Sequence, residues 1–286
     1  MSWNTFECQN PDLCVKSAVD GTIYPASRAA LMTSDVFKDM FACCDVGPSD
    51  PKGEDALELQ ETGGELAALL RLLHDPPPPP EQIPTDDLFQ KIRYNLATVI
   101  PLPLLVSLLF RLVDKYAIAE AVAANLRVHL RANAPAYPLE VYGFATLHEM
   151  DWEASEASQF VRPMASYRLD DIAVLPSVIS YHKLVKLQHF RVKALQDLLL
   201  AEEIFPHGYG ACTTHNESTT TSWDRQRKAL MGRIDSATDV AGEMSALTET
   251  FVACKSCYKA CTAAVEMLAY KCKRLPRRLD QVSNLW

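Results

Sequence analysis

Two short motifs hold the side chains best suited to chemistry. Cys212-x-x-His215 sits in the stretch Ile204 to Trp223, IFPHGYGACTTHNESTTTSW, and Cys254-x-x-Cys257 begins 42 residues after Cys212. Each spacing is half of a zinc site, and together they supply three thiolates and one imidazole, a closed Cys3His tetrahedron of structural rather than catalytic type. His207 is a spare ligand in the same stretch. A plainer reading competes with this one. The segment Asp239 to Leu275 reads as one long helix whose apolar stripe runs through Val240, Met244, Leu247, Phe251, Cys254, Cys257 or Tyr258, Cys261, Val265, Leu268 and Cys272. On such a stripe cysteines act as small hydrophobes. Zinc requires the loop to fold back until each sulfur lies about 2.3 Å from the metal; the plainer reading requires only burial. The spacing leaves both open.

Other reactive groups lack partners. Gly208-Tyr209-Gly210 has no third glycine and no preceding strand, and His148-Glu149 is followed by Met150-Asp151-Trp152 rather than a second histidine. No G-x-S-x-G, phosphate loop or H-E-x-x-H occurs. His182 and His189 fall on a long helix without an acidic or cysteine partner on their face, which predicts partly buried, satisfied histidines. The expectation is a protein that is not an enzyme. Lys271 to Arg278, KCKRLPRR, is either a nucleic-acid or nuclear-localisation patch or the basic end of a helix, where cations suit the dipole. Without interleaved aromatics the helix end is favoured.

The elements that must carry these residues begin with a hairpin. Asp20-Gly21, between extended runs at residues 12–17 and 22–26, predicts a two-residue type I′ turn, with Leu13, Val15 and Ile23 buried and Pro25 at a sheet edge. Ala29 to Leu31 begins a helix, and Ser34 caps a second piece with Val36, Phe37, Met40 and Phe41 on one stripe. Residues 57–60 alternate like a half-buried strand. Residues 65–74 place Leu66, Leu69, Leu70 and Leu73 at i, i+3, i+4, i+7.

Asp12, Leu13, Val15, Asp20, Gly21, Arg28, Leu31, Ser34, Phe37, Met40 and Phe41 together resemble the opening of a BTB/POZ domain. Ser27 stands where that family has histidine, and Tyr24 where it usually has phenylalanine. The resemblance covers roughly the first 130 residues. It implies an α+β BTB/POZ fold, a small sheet with helices, over residues 1–134. Asp20, Gly21, Leu31, Phe37, Met40 and Phe41 then belong to the interaction and core motif. Asp12 and Arg28 would be a paired charge in the domain's pocket, so that losing Asp12 strands a buried cation at a cost of several kcal/mol. The resemblance also implies a homodimer through this domain, and use as a substrate adaptor on a cullin scaffold of a ubiquitin ligase or in transcriptional regulation.

Composition agrees with two ordinary domains: 286 residues, 48% hydrophobic and 22% charged. The net charge of −8 is concentrated in residues 1–130, which hold 10 basic and 18 acidic side chains, an argument against a nucleic-acid surface there. MSWNTFECQN lacks the pattern of a secretory signal, and nine cysteines read as thiols of an intracellular, cytoplasmic or nuclear protein. In residues 96–113 Pro101, Pro103 and Arg111 interrupt the apolar run, which predicts a core helix rather than a membrane span. Pro76 to Pro80 and Pro84 mark an extended insertion over residues 76–84, better read as a bridge between helices than as a docking ligand. Helices at residues 104–116 and 120–132 close the first domain. Pro135 and Pro138 mark the boundary, and residues 135–286 form an all-α helical domain whose spine is a helix over residues 178–203.

Overall fold

The computed structural model describes residues 3–43, 56–84, 92–208 and 210–282. The chain forms two compact units, Met1–Tyr137 and Pro138–Trp286. The first is mixed α and β; the second has no strand among its described residues.

In the N-terminal unit, β1 (Leu13–Ser17) and β2 (Ile23–Ala26) pair antiparallel, with Val15 opposite Tyr24. Two short helices follow, α1 (Arg28–Leu31) and α2 (Asp35–Cys43), and then β3 (Leu57–Leu59), which lies parallel to β1. A parallel neighbour cannot be reached through a tight turn, and α1 and α2 lie in the crossover. The order β2-β1-β3 leaves β2 at an edge, where Pro25 costs no ladder bond. Leu13, Val15 and Ser17 face inward. Ile23 does not: it pairs with Lys16 on the outer face and is 45% exposed, because the register turns Tyr24 and Ala26 inward instead.

The hairpin also differs from a two-residue turn. Ser17 and Thr22 flank a four-residue loop in which only Gly21 takes positive φ, at 74°. Asp20 uses its side chain instead: Thr22 N–H donates to Oδ1 at 3.0 Å, and Gly63 N–H donates to Oδ2 at 2.7 Å. The turn is thereby fastened to the first residue of α3 (Gly63–His74). The amide of Gly63, then the side chain of Thr22, holds the Asp20 carboxyl well below the usual carboxylate range.

Helix α3 begins with a capping box between Thr62 and Glu65 and is buried on nearly every side, Ala67, Ala68 and Leu72 included, so it is a central core helix rather than an amphipathic one. The helical run against it consists of α4 (Leu102–Leu104), a π-turn over Leu105–Leu109 and α5 (Phe110–Lys115). Leu102, Leu105, Leu109, Leu112 and Val113 are buried. By length and composition alone Leu96–Lys115 could cross a bilayer, with a mean hydropathy of 2.2. Helix α6 (Glu120–Asn133) completes the unit.

The proline run packs onto α6. Pro77 and Pro80 are buried, and the carbonyls of Pro77 and Pro78 accept from Asn125 Nδ2 at 3.1 Å and His129 Nε2 at 2.9 Å. Ile100 N–H donates to His129 Nδ1 at 3.2 Å, which fixes the tautomer. Two-residue strands β4 (Gln82–Ile83) and β5 (Arg93–Tyr94) pair antiparallel beyond it.

In the second unit α7 (Pro138–Leu147) packs on α8 (Asp151–Ser158), followed by α9 (Leu169–Ile172) and the spine α10 (Val178–Ala201). The seven-residue spacing of Val178, Val185, Val192 and Leu199, with His182, His189 and Leu195 on the same side, predicts one inner face for α10, and of these residues Leu195 and Leu199 are buried. Ser180, Leu184, Leu187, Arg191, Leu195 and Leu199 point inward, Val178 is 82% exposed, and His182 and His189 are exposed rather than partly buried. Arg191 belongs to the inner face because Nε donates to the Ser236 carbonyl at 2.8 Å and NH1 to that of Pro276 at 3.2 Å. The remaining helices are α11 (Asn216–Met231), α12 (Val240–Ser245), α13 (Leu247–Thr250) and α14 (Lys255–Lys273). The single helix expected from Asp239 to Leu275 is therefore interrupted twice, and its last break ends at Cys254.

Candidate functional site

The break before α14 brings the cysteine motifs together. Cys254 is the N-cap of α14 with extended backbone, φ −122° and ψ 108°, so its side chain leaves the helix surface, and Cys257 follows in the first turn. His215 is the N-cap of α11, and Asn216 N–H donates to the Cys212 carbonyl at 3.1 Å, closing a tight turn between the first pair of donors. Upstream, Gly208 and Gly210 at φ 76° and 75° reverse the chain in a conformation that other residues rarely adopt.

Cys212 Sγ lies 3.5 Å from His215 Nδ1 and 3.7 Å from Cys254 Sγ, and the four donor atoms of Cys212, His215, Cys254 and Cys257 all fall within 4.8 Å of one another. Bonds of about 2.3 Å to sulfur and about 2.0 Å to nitrogen give tetrahedral edges of roughly 3.8 Å between sulfurs and roughly 3.5 Å between sulfur and nitrogen. The two measured edges match those values. Cys257 is buried, Cys212 and Cys254 are partly covered and His215 is exposed. Thr219, buried in α11, donates from Oγ1 to Cys257 Sγ at 3.3 Å.

The local field suits anionic sulfur. The amides of Thr214 and His215 lower the Cys212 thiol, and the amide of Cys257, then the His215 side chain, brings Cys254 down to about 6. The two thiols raise His215. Burial pushes Cys257 up. The N-termini of two helices of 16 and 19 residues abut the cluster, each with positive dipole potential. The donor set is soft and thiolate-rich, with all four positions of a tetrahedron filled by protein, which is the chemistry of a structural zinc or other thiophilic divalent cation.

The competing reading holds for other cysteines. Cys261 and Cys272 are buried in the core formed by Leu195, Leu199, Trp223, Met244 and Leu268, where burial pushes Cys261 up to about 11. None of the described cysteines forms a disulfide. The side chain of His207 lies outside the described residues. Of the basic tail, Lys271 pairs with Glu202 at 2.5 Å and Arg278 pairs with Glu156 and Asp280, so these cations are engaged within the unit.

Around the N-terminal motif, Leu31, Phe37 and Phe41 are core, and Met40 is half-buried. Phe37 stacks on Tyr116 at 5.3 Å, while Ser34 accepts from Phe37 N–H and donates to the Tyr116 carbonyl. Asp12 and Arg28 meet, but not as a buried ion pair of side chains. Asp12 is exposed and accepts from the Arg28 backbone N–H at 2.6 Å, while the guanidinium lies 4.5 Å from the Phe41 ring centroid. Ser27 donates its backbone N–H to His74 Nε2 at 2.9 Å, so a histidine does reach this corner, from the end of α3.

Sequence reasoning missed Glu61, a buried carboxylate that accepts from Tyr116 Oη at 2.5 Å and pairs with Lys115, while its carbonyl accepts from Ser17. Burial, then Glu61, pushes the Tyr116 hydroxyl far up. Its only signal is a charge placed between strand β3 and the cap of α3. Set against family models, curated proteins and solved structures, the chain matches none of them.

Proposed function

We propose that the chain is an intracellular protein-interaction and oligomerisation module without catalysis of its own, its N-terminal unit self-associating as a BTB/POZ domain. One observation supports this reading: the order two strands, two short helices, a strand parallel to the first, a buried helix, a pair of two-residue strands and then two closing helical runs. Met32, 44% exposed after α1, and Val36, 40% exposed on α2, lie at the corner that holds Phe37 and Phe41. Self-association would remove their apolar surface from water.

Light scattering on the full chain tests the reading. The expected mass is twice 31.8 kDa, falling to the monomer value in a Met32→Glu, Val36→Glu variant whose far-UV spectrum is unchanged. Capture of a purified cullin scaffold by the same protein would extend the reading to a ubiquitin-ligase substrate adaptor. A monomer at every concentration together with no cullin capture would contradict it.

A further inference from the structure

The geometry points to Cys212, His215, Cys254 and Cys257 as the four ligands of one zinc ion that clamps the start of α11 to the start of α14. This inference is independent of the oligomerisation reading, since every residue in it belongs to the helical unit.

Three observations converge. The donors come from two sequence-distant motifs, and the described edges of 3.5 and 3.7 Å are those of a zinc tetrahedron. Each motif stands at the first turn of a long helix, so the backbone positive potential offsets the net charge of −1 that three thiolates leave around Zn2+. The third is a supporting contact on a ligand, the Thr219 hydroxyl directed at Cys257 Sγ.

The clamp also answers a packing problem. Among the described residues between α10 and α11, Gly208 N–H donates to the Phe205 carbonyl, Ala211 N–H to that of Gly208 and Asn216 N–H to that of Cys212. Only Thr219, Trp223 and Leu230 of α11 are buried. Trp223 and Leu230 join the apolar core, and in the first turn Thr219 is the one residue buried among those described. On binding, the thiol protons pass to solvent and three Zn–S bonds and one Zn–N bond form, with no redox change. All four positions are then filled by protein, so the ion has no site for substrate and its role is to join elements.

The test uses the full chain, purified reduced from zinc-supplemented medium. Elemental analysis should give about one zinc per chain. Exchange for cobalt should produce the intense visible absorption of a tetrahedral ion and a thiolate charge-transfer band. Cys212→Ser and His215→Ala change side chains that are not buried, so both should fold and lose zinc, whereas the exposed Cys43→Ser should keep it. Thr219→Val should weaken binding roughly 10-fold while leaving the cobalt spectrum tetrahedral. The inference is overturned by wild-type chain that takes up neither zinc nor cobalt, by iron in place of zinc, by an octahedral cobalt spectrum, or by undiminished zinc in the Cys212→Ser, Cys254→Ser double variant. If single variants misfold, the wild-type stoichiometry and cobalt spectrum still decide.

Discussion

Eight of the 12 residues of α3 are buried, against three of the 16 residues of α11. The first helix is held by what surrounds it: leucines and alanines on all sides, a capping box at one end and His74 at the other. The second is held at points: Trp223, whose indole N–H donates to the Glu202 carbonyl at 3.1 Å, Arg227 on the carbonyls of Leu200 and Glu202, and the donor cluster at its first turn. Where apolar area is continuous, no single contact decides the fold. Where it is sparse, discrete polar and metal-ligating groups must decide it.

Core deletions should separate the two modes most strongly. Trp223→Ala should cost the helical unit about 4 kcal/mol, chiefly by cavity, since the Glu202 carbonyl loses the indole N–H but keeps Arg227 as a donor. Leu70→Ala should cost the N-terminal unit about 3 kcal/mol by cavity alone. Urea denaturation followed by circular dichroism measures both; equal costs below about 1 kcal/mol would dissolve the contrast. Glu61→Ala comes next, at about 2 kcal/mol, because Tyr116 Oη loses its acceptor in a buried place while half-exposed Lys115 regains water.

Acid should act on the N-terminal unit through two histidines. Burial lowers His74 and His129 below 6.5, and each accepts a backbone N–H, from Ser27 and Ile100 respectively. The unfolded chain then binds more protons than the folded one below about pH 6.5. Their contribution to stability is complete above that pH and declines as the pH falls towards their folded values. Melts from pH 7.5 to 5 should show the decline, and His129→Gln should flatten it; a slope of the opposite sign would refute the neutral assignment. Asp12→Ala should be smallest, about 1 kcal/mol, since the exposed carboxylate serves the Arg28 amide and leaves no buried cation stranded.

Much of this architecture was legible in the chain. Alternation at Leu13 and Val15, the leucine spacing after Gly63-Gly64 and the prolines before Leu139 locate the elements because they reflect local periodicity and backbone restriction. The short cysteine spacings located the donor cluster for the same reason. The interruption at Thr250 to Cys254 was hidden, since the apolar stripe from Val240 to Cys272 continues across it without proline. The inner face of α10 was legible at Leu195 and Leu199 but not at Arg191, a residue that sequence patterns assign to solvent and that two carbonyls distant in the chain draw inward. Asp20 reads as a turn residue, and its bond to Gly63 is likewise a long-range fact.

Hydrogen exchange on the full chain, with and without a strong zinc chelator under reducing conditions, tests the contrast between the units most directly. Chelation should strip protection from residues 202–231 and the first turns of α14 while leaving α3 and β1 unchanged. Identical exchange in both conditions, or a loss spread evenly over the two units, would contradict the account.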